Sequence, residues 1–203
     1  SSTQRSARPN APISTFLYIK SIGSSGRSTS EHPAIRSAPP LSEIAIARPS
    51  STVVLARDSA DAPELLLMRR HQRSAFGGAH AFPGGVLEDA DALVGDHCVG
   101  VTSDQADALL SVDRGLRYFS AAIRELFEES GVLLAAVGGR GVDLAASRDA
   151  LNEGTLDWRR FVVDNHVQLL CDALHYFSFW ITPKALPRRF STRFFLAAMP
   201  ADQ

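Results

Sequence analysis

The clearest pattern of apolar and polar positions lies between residues 118 and 130. There the apolar residues recur at three- and four-residue intervals, as on one face of an α-helix. They are Phe119, Ala122, Ile123, Leu126 and Phe127. Gly131 follows, and glycine commonly ends a helix because it adopts a left-handed conformation without strain. The pattern therefore predicts a helix over residues 118–130 with one buried stripe.

Shorter apolar runs predict β-strands on both sides of this helix. One buried strand is predicted over residues 52–56 and a second over 64–70. The residues between them have turn composition, so the pair is predicted to form a hairpin. Further strands are predicted over residues 132–137, 174–181 and 192–198.

Three further helices are predicted, over residues 103–112 with Ser103 as the N-cap, 144–153 and 157–171. Both tryptophans and the phenylalanines of residues 177–195 are predicted to be core residues. Strands and helices mixed in this way predict an α/β fold, in which helices cover both sides of a sheet.

The first fifty residues differ in composition from the rest of the chain. They contain twelve Ser, six Pro and six basic residues, against two acidic residues. Such a segment buries too little surface to offset its chain entropy. We therefore expect a disordered tail over residues 1–49, before one domain over residues 50–203. The tail also faintly resembles an organelle transit peptide, and a plain unstructured tail is the alternative.

Charge and cysteine content exclude several classes of protein. With 21 Lys and Arg against 22 Asp and Glu, the chain lacks the basic excess of a nucleic-acid-binding protein. Its apolar runs are shorter than the roughly 18 residues of a membrane span. Cys98 and Cys171 are too few for a disulfide framework and lack the spacing of a zinc site. We expect a reducing compartment, the cytoplasm, or the peroxisome or mitochondrion of a eukaryote.

The predicted helix over residues 118–130 also carries an acidic face. Glu125, Glu128 and Glu129 stand at i, i+3 and i+4, so their carboxylates lie close together and repel one another. A hard divalent cation relieves this repulsion, and Mg²⁺ is typically held by a few carboxylates together with water and substrate phosphate oxygens. Arg124 stands beside them and can orient one carboxylate. The alternative interpretation is an ordinary solvated acidic face.

A diglycine turn, Phe82-Pro83-Gly84-Gly85, precedes this helix. Two glycines after a strand allow the backbone to approach an ion or a phosphate closely. Together with the segment from Arg124 to Val132, these residues resemble the Nudix box motif, Gly-x5-Glu-x7-Arg-Glu-U-x-Glu-Glu-x-Gly-U, in which U is a bulky aliphatic residue. The second half of the motif is matched in full, and Gly85 matches its first position.

The chain departs from the motif in two ways. Asp91 stands where the motif has Glu, so the carboxylate is kept but shortened. Asp91 and Arg124 are 33 positions apart where the motif has 8, an insertion of 25 residues. The inserted segment, residues 92–117, is expected either to cover the site and contact the substrate or to be flexible padding.

The insertion is similar to that of the peroxisomal coenzyme A diphosphatase-like subgroup of Nudix hydrolases. Residues 78–87, 180–183 and 187–195 resemble the same subgroup. The resemblance extends over residues 50–200 and implies an α/β/α sandwich with a mixed sheet. It also implies that a final strand and helix of the family fold are missing after residue 195, and this missing part is an alternative place for the general base.

The resemblance implies Mg²⁺- or Mn²⁺-dependent hydrolysis of a nucleoside diphosphate derivative, with coenzyme A or acyl-coenzyme A as the substrate. The implied metal ligands are Glu125, Glu128, Glu129 and the carbonyl group of Gly85. The implied catalytic residues are Glu125, Glu128 and Arg124. A glutamate accepts the proton of the attacking water, and Arg124 holds Glu125 or its neighbours in place. The partner is thus a small molecule, and neither nucleic acid nor membrane.

Candidate substrate-binding residues lie near the diglycine turn. Arg69, Arg70 and Arg73 precede it, and a guanidinium group matches the geometry of a phosphate. Gly84 adds a backbone group. For the arginines, the alternative is a solvated strand end. Weaker candidates of the same kind are Arg188, Arg189 and Arg193.

A second function stays open from the sequence. The shortened carboxylate at Asp91 and the long insertion are also consistent with a catalytically silent Nudix-like module that binds a nucleotide or regulates another protein. A third possibility is a fragment that does not fold alone. The sequence leaves the oligomeric state unknown.

Overall fold

The computed structural model describes residues 14–17, 44–69, 80–201 and 203. Its strands are β1 Ser14–Leu17, β2 Ala47–Arg57, β3 Glu64–Arg69, β4 His80–Ala81, β5 Gly84–Val86, β6 Cys98–Val99, β7 Ala135–Val137, β8 Val167–Leu170, β9 His175–Ile181 and β10 Arg189–Ala198. Its α-helices are α1 Ser103–Leu110, α2 Leu116–Ser130, α3 Leu144–Glu153 and α4 Trp158–Asp164. Short 3₁₀ helices are Asp89–Leu93, Gly95–His97 and Cys171–Ala173.

Two sheets organise these elements. The larger sheet has the strand order β1-β3-β2-β10-β9, with β4 beside β3 and β5 beside β2. β10 runs parallel to β2, whereas β9, β3 and β5 run antiparallel to their neighbours. The smaller sheet has the order β6-β8-β7. The structure thus confirms the mixed α/β fold with a mixed sheet.

Helix α2 packs at the centre of the core. All five residues of its predicted apolar stripe are buried. Phe119 contacts Phe195 of β10, and Phe127 stacks on Phe161 of α4. Gly131 ends the helix with a φ of 86°, as predicted. Because α2 also packs on β2 and β5, its other residues are held in fixed positions against these strands.

Some element boundaries differ from the sequence prediction. β2 begins at Ala47, because its first residues pair with the start of β10. The N-cap of α1 is Thr102 and not Ser103: the Thr102 hydroxyl accepts from the Gln105 amide, and the Gln105 side chain accepts from the Thr102 amide. This reciprocal pair satisfies two amides that the helix itself leaves without partners.

The predicted helix over residues 157–171 is wrong beyond Asp164. His166 has a φ of 49° and turns the chain, and β8 follows, between β6 and β7. Val167 and Leu169 are buried while Gln168 is exposed, which is the two-residue period of a strand. The predicted strand over residues 132–137 is likewise shorter, since only Ala135–Val137 is a strand.

The inserted segment is ordered, so flexible padding is the wrong expectation. Residues 92–117 contain β6 and α1, and they place Val94, Ala106 and Leu110 in the core. The segment therefore packs as a part of the domain.

The prediction of core aromatic residues is correct for Trp158 and wrong for Trp180, which is 2% and 68% exposed, respectively. Phe177, Phe179 and Phe190 are also exposed, so the prediction is wrong for them too. Trp180, Phe177 and Phe179 lie on β9, at the edge of the larger sheet, where Tyr176 contacts the core residue Phe195, and Phe190 lies near the start of β10. An edge strand has fewer neighbours to cover its side chains.

The predicted disorder of residues 1–49 falls mostly outside the described residues. Within them, β1 pairs with β3 and β2 begins before residue 49. None of the helices in the described ranges has the length and apolarity needed to cross a membrane.

Candidate functional site

A fully buried arginine, Arg124, lies among the carboxylates of the predicted site. Its Nε and Nη2 atoms donate to the two oxygens of Asp91, each at 2.9 Å. Its Nη1 atom donates to Glu125 Oε1 at 2.8 Å and lies 3.5 Å from Glu128 Oε2. All three carboxylate residues are buried. The interpretation of this helix face as an ordinary solvated surface is therefore wrong.

The Asp91 carboxylate is bound by Arg124 and is buried from solvent. Besides the two bonds from Arg124, its carboxylate accepts a hydrogen bond from the Glu88 amide at 2.7 Å. Ser120 Oγ lies 3.4 Å from it and itself accepts from Trp158 Nε1 at 2.9 Å. The shortened carboxylate thus holds the guanidinium from the side of the 3₁₀ helix Asp89–Leu93.

The electrostatics of the pair follow from burial. Burial raises the pKa of Asp91 above its ordinary value, against the opposing effect of the Arg124 charge. Burial alone would lower the pKa of Arg124, but Glu125, Asp91 and Glu128 outweigh it and hold that pKa well above its ordinary value. Arg124 therefore stays charged throughout the pH range of an assay.

Gly84 and Gly85, which were predicted to form a turn, begin strand β5. This segment, for which the name diglycine turn is kept, lies directly against the acidic face of α2. The Gly84 amide donates to Glu129 Oε2 at 3.0 Å. A Cβ atom on Gly85 would lie only 2.6 Å from Glu125 Oε2, so the backbone approaches this carboxylate as closely as glycine allows. Ser51 and Thr52 of β2 pair with these glycines from the other side. The turn is therefore fixed between a strand and two glutamates.

This contact predicts the effect of a single methyl group. The substitution Gly85→Ala is expected to displace the Glu125 carboxylate and to lower the diphosphatase activity that the sequence resemblance implies about tenfold or more, since misplacing a reacting group by about 1 Å can cost about 10²-fold. Steady-state kinetics on a diphosphate substrate measure the loss. The matched control is Gly95→Ala, because the nearest atom to its added Cβ is 4.0 Å away. Equal activity of the two variants would contradict the tight fit at Gly85.

The donor set is of the kind that a divalent cation takes. Glu125, Glu128 and Glu129 supply hard carboxylate oxygens, and the missing Cβ of Gly85 leaves its backbone beside them. Within the described ranges, no three His, Cys, Asp or Glu side chains form a ready metal-binding group. Mg²⁺ does not require such a cage, because one or two carboxylates with water and substrate phosphates commonly hold it. The residues therefore fit Mg²⁺ or Mn²⁺.

Of the three arginines predicted to bind substrate, only Arg69 lies within the described residues. Arg69 is exposed at the end of β3, in register with His80 of β4. Arg70 and Arg73 lie outside the described residues. Their role in phosphate binding stays a prediction.

The sequence reasoning missed Glu88 and the carbonyl group of Val86. Arg124 Nη1 lies 3.7 Å from Glu88 Oε1, and Arg124 Nη2 donates to Val86 O at 3.0 Å. The spacing of Glu88 and Asp91 is a signal of a capping box, and this box indeed caps the 3₁₀ helix Asp89–Leu93. The link to Arg124 has no signal in the sequence, since it joins residues that are distant along the chain.

Several known proteins are similar to this chain in sequence or in structure. The chain is 28% identical over 182 residues to "Acyl-coenzyme A diphosphatase NUDT19" of Gallus gallus, covering 67% of this chain and 48% of the relative. It is 29% identical over 179 residues to the human protein of the same name, covering 66% and 47%. The chain thus spans about half the length of these curated relatives. No family model matches it.

A solved structure of a NUDIX hydrolase from Alicyclobacillus acidocaldarius superposes with a TM-score of 0.62 at 28% sequence identity. The match covers 75% of this chain and 70% of the other. Fold, sequence relatives and the segment from Arg124 to Val132 against the diglycine turn therefore agree: the chain is similar to Nudix hydrolases, among them the acyl-coenzyme A diphosphatases.

Proposed function

We propose that this protein hydrolyses the diphosphate linkage of coenzyme A or acyl-coenzyme A in a reaction that depends on Mg²⁺ or Mn²⁺. The observation that carries the proposal is the contact of the diglycine turn with the acidic face of α2, through Gly84 with Glu129 and Gly85 with Glu125. The names of the curated relatives supply the substrate class.

The side chains of α2 have two different roles, binding the cation and orienting its ligands. Glu125, Glu128 and Glu129, with the carbonyl group of Gly85, would hold the cation. A cation there neutralises the charge that develops on the phosphate oxygens and makes a water molecule more acidic. One of the glutamates accepts the proton of the attacking water. Arg124 orients Glu125, to which it donates at 2.8 Å, and is itself fixed by Asp91.

Burial makes this arrangement effective. Arg124, Asp91 and Glu125 are each at most 1% exposed, so their positions do not depend on mobile surface side chains. Interactions between charges are stronger where water is excluded. The site is therefore organised before the substrate arrives, which is the condition under which fixed charges lower a reaction barrier most.

A substrate panel tests the proposal. The protein is incubated with coenzyme A, acetyl-coenzyme A, ADP-ribose, NADH and nucleoside triphosphates, each with Mg²⁺, with Mn²⁺ and with a chelator. We expect adenosine 3′,5′-bisphosphate and a phosphopantetheine product from the coenzyme A substrates, and no turnover with the chelator. Faster turnover of another compound would identify that compound as the substrate in place of coenzyme A. Turnover in the presence of the chelator would contradict the metal dependence.

The alternative of a catalytically silent module has a distinct outcome in the same experiment. Binding of coenzyme A measured by calorimetry, without turnover in either metal, would favour a nucleotide-binding or regulatory role.

A further inference from the structure

The last turn of α2 carries two glutamates of the acidic face, Glu128 and Glu129. The last four carbonyl groups of a helix have no partner within the helix, so such a turn loosens unless other groups bind them. Gly131 ends α2 directly after this turn, and its amide donates to Phe127 O at 2.8 Å. The positions of both carboxylates therefore depend on what binds the carbonyl groups of the last turn.

One arginine of α3, Arg148, binds three of these carbonyl groups. Its Nε atom donates to Phe127 O at 3.1 Å and to Glu128 O at 3.0 Å, and its Nη2 atom donates to Glu129 O at 2.8 Å. Asn152 Nδ2 also donates to Glu128 O, at 3.0 Å. The charge of Arg148 adds to the effect, because the C-terminal end of a helix is the negative end of its dipole.

Helix α3 presents these two side chains from a fixed position. Arg148 and Asn152 stand four residues apart and therefore share one face of the helix. Leu151, on the same side, is 1% exposed and belongs to the core. The Asp143 side chain caps the start of α3 by accepting from the Ala146 amide at 3.0 Å. The contact with α2 is thus made between two helices and not by a loop.

The acidic face of α2 is in this way fixed by two arginines that act on different atoms. Arg124 binds carboxylate oxygens, whereas Arg148 binds main-chain oxygens of Glu128 and Glu129. The Glu129 carboxylate accepts from the Gly84 amide at 3.0 Å, so a shift of the last turn would move this carboxylate relative to the diglycine turn.

We propose that Arg148, which lies outside the box motif, is a positioning residue for the divalent cation. By binding the carbonyl groups of the last turn, it holds Glu128 and Glu129 in the arrangement that binds the cation. The inference rests on the proposed function for the cation itself. Groups that orient metal ligands typically change metal affinity about 10–100-fold when they are removed. The loss of Arg148 should therefore lower the affinity for the cation and not only the stability of the fold.

Binding of Mn²⁺ without substrate tests this role, because it does not depend on turnover. Electron paramagnetic resonance of free Mn²⁺ gives Kd for each variant, after thermal melting has shown that the variant is folded at the temperature of the titration. We expect Arg148→Gln to raise Kd about tenfold. Arg148→Lys should raise it by less, since an ammonium group keeps the charge but loses the fork of donors. The control Arg159→Gln, at an exposed position of α4, should leave Kd unchanged.

Amide hydrogen exchange without metal is the second measurement on the same variants. Arg148→Gln should speed the exchange of residues 126–132 and leave that of residues 118–124 unchanged. Faster exchange with an unchanged Mn²⁺ affinity would overturn the inference, because Arg148 would then be only a structural helix cap, and the cation site would stand. A wild-type protein that does not bind Mn²⁺ would overturn the cation site of the proposed function, and the positioning role with it.

Discussion

Replacement of Glu129 by Gln is expected to lower kcat for diphosphate hydrolysis by about 10²–10³-fold. A carboxylate ligand of a catalytic cation lowers the activation barrier by several kcal/mol, and this stabilisation would be lost. The fold should be retained. Glu129 is only half-buried, and the amide oxygen of Gln can still accept the hydrogen bond from Gly84. The measurement is kcat at saturating Mg²⁺ beside a thermal melt of the same sample.

The matched control for this variant is Glu153→Gln, which makes the same chemical change on an exposed residue of α3. Its kcat should equal that of the wild-type protein. A Glu129→Gln variant with near-normal kcat would show that this carboxylate does not hold the cation.

Replacement of Arg124 by Met should cost about 3–5 kcal/mol in the free energy of unfolding, since removing one partner of a buried ion pair leaves uncompensated charge. Here Asp91, Glu125 and Glu128 would all lose the same cation. Urea denaturation followed by circular dichroism measures the change. Arg124→Lys should also destabilise the protein, because an ammonium group cannot donate to both Asp91 oxygens in the fork geometry of a guanidinium.

Arg159→Met is the control for the loss of one arginine, and it should change the free energy of unfolding by less than about 0.5 kcal/mol, as exposed substitutions usually do. A urea denaturation midpoint for Arg124→Met as high as that of this control would contradict a structural role of the buried charge cluster.

Local patterns predicted the parts of the fold that depend on local physics. The stripe of α2 and its glycine end follow from the three- to four-residue period and from the conformational freedom of Gly131, and both are correct. The predicted helix continues past Asp164, whereas the structure has strand β8 there. This strand is decided by pairing with β6 and β7, which the local sequence does not encode.

The same division holds for the candidate site. The carboxylates of α2 and the diglycine turn were identified from the motif, and the structure brings them together. The partners of Arg124 that come from Val86 and Glu88 were not predicted, nor was the contact of Arg193 with Tyr118. These contacts join segments separated by an insertion or by most of the domain. They depend on how the chain packs, and their residue types carry no distinctive spacing.

The central claim is that the acidic face of α2 and the diglycine turn together hold a divalent cation. Diffraction from crystals soaked in Mn²⁺, measured at the manganese absorption edge, tests it most directly. We expect an anomalous peak in contact with the Glu125 and Glu129 carboxylates and the Gly85 carbonyl group, and its absence in Glu129→Gln crystals. Manganese bound elsewhere, with these side chains still held only by protein groups, would contradict the claim.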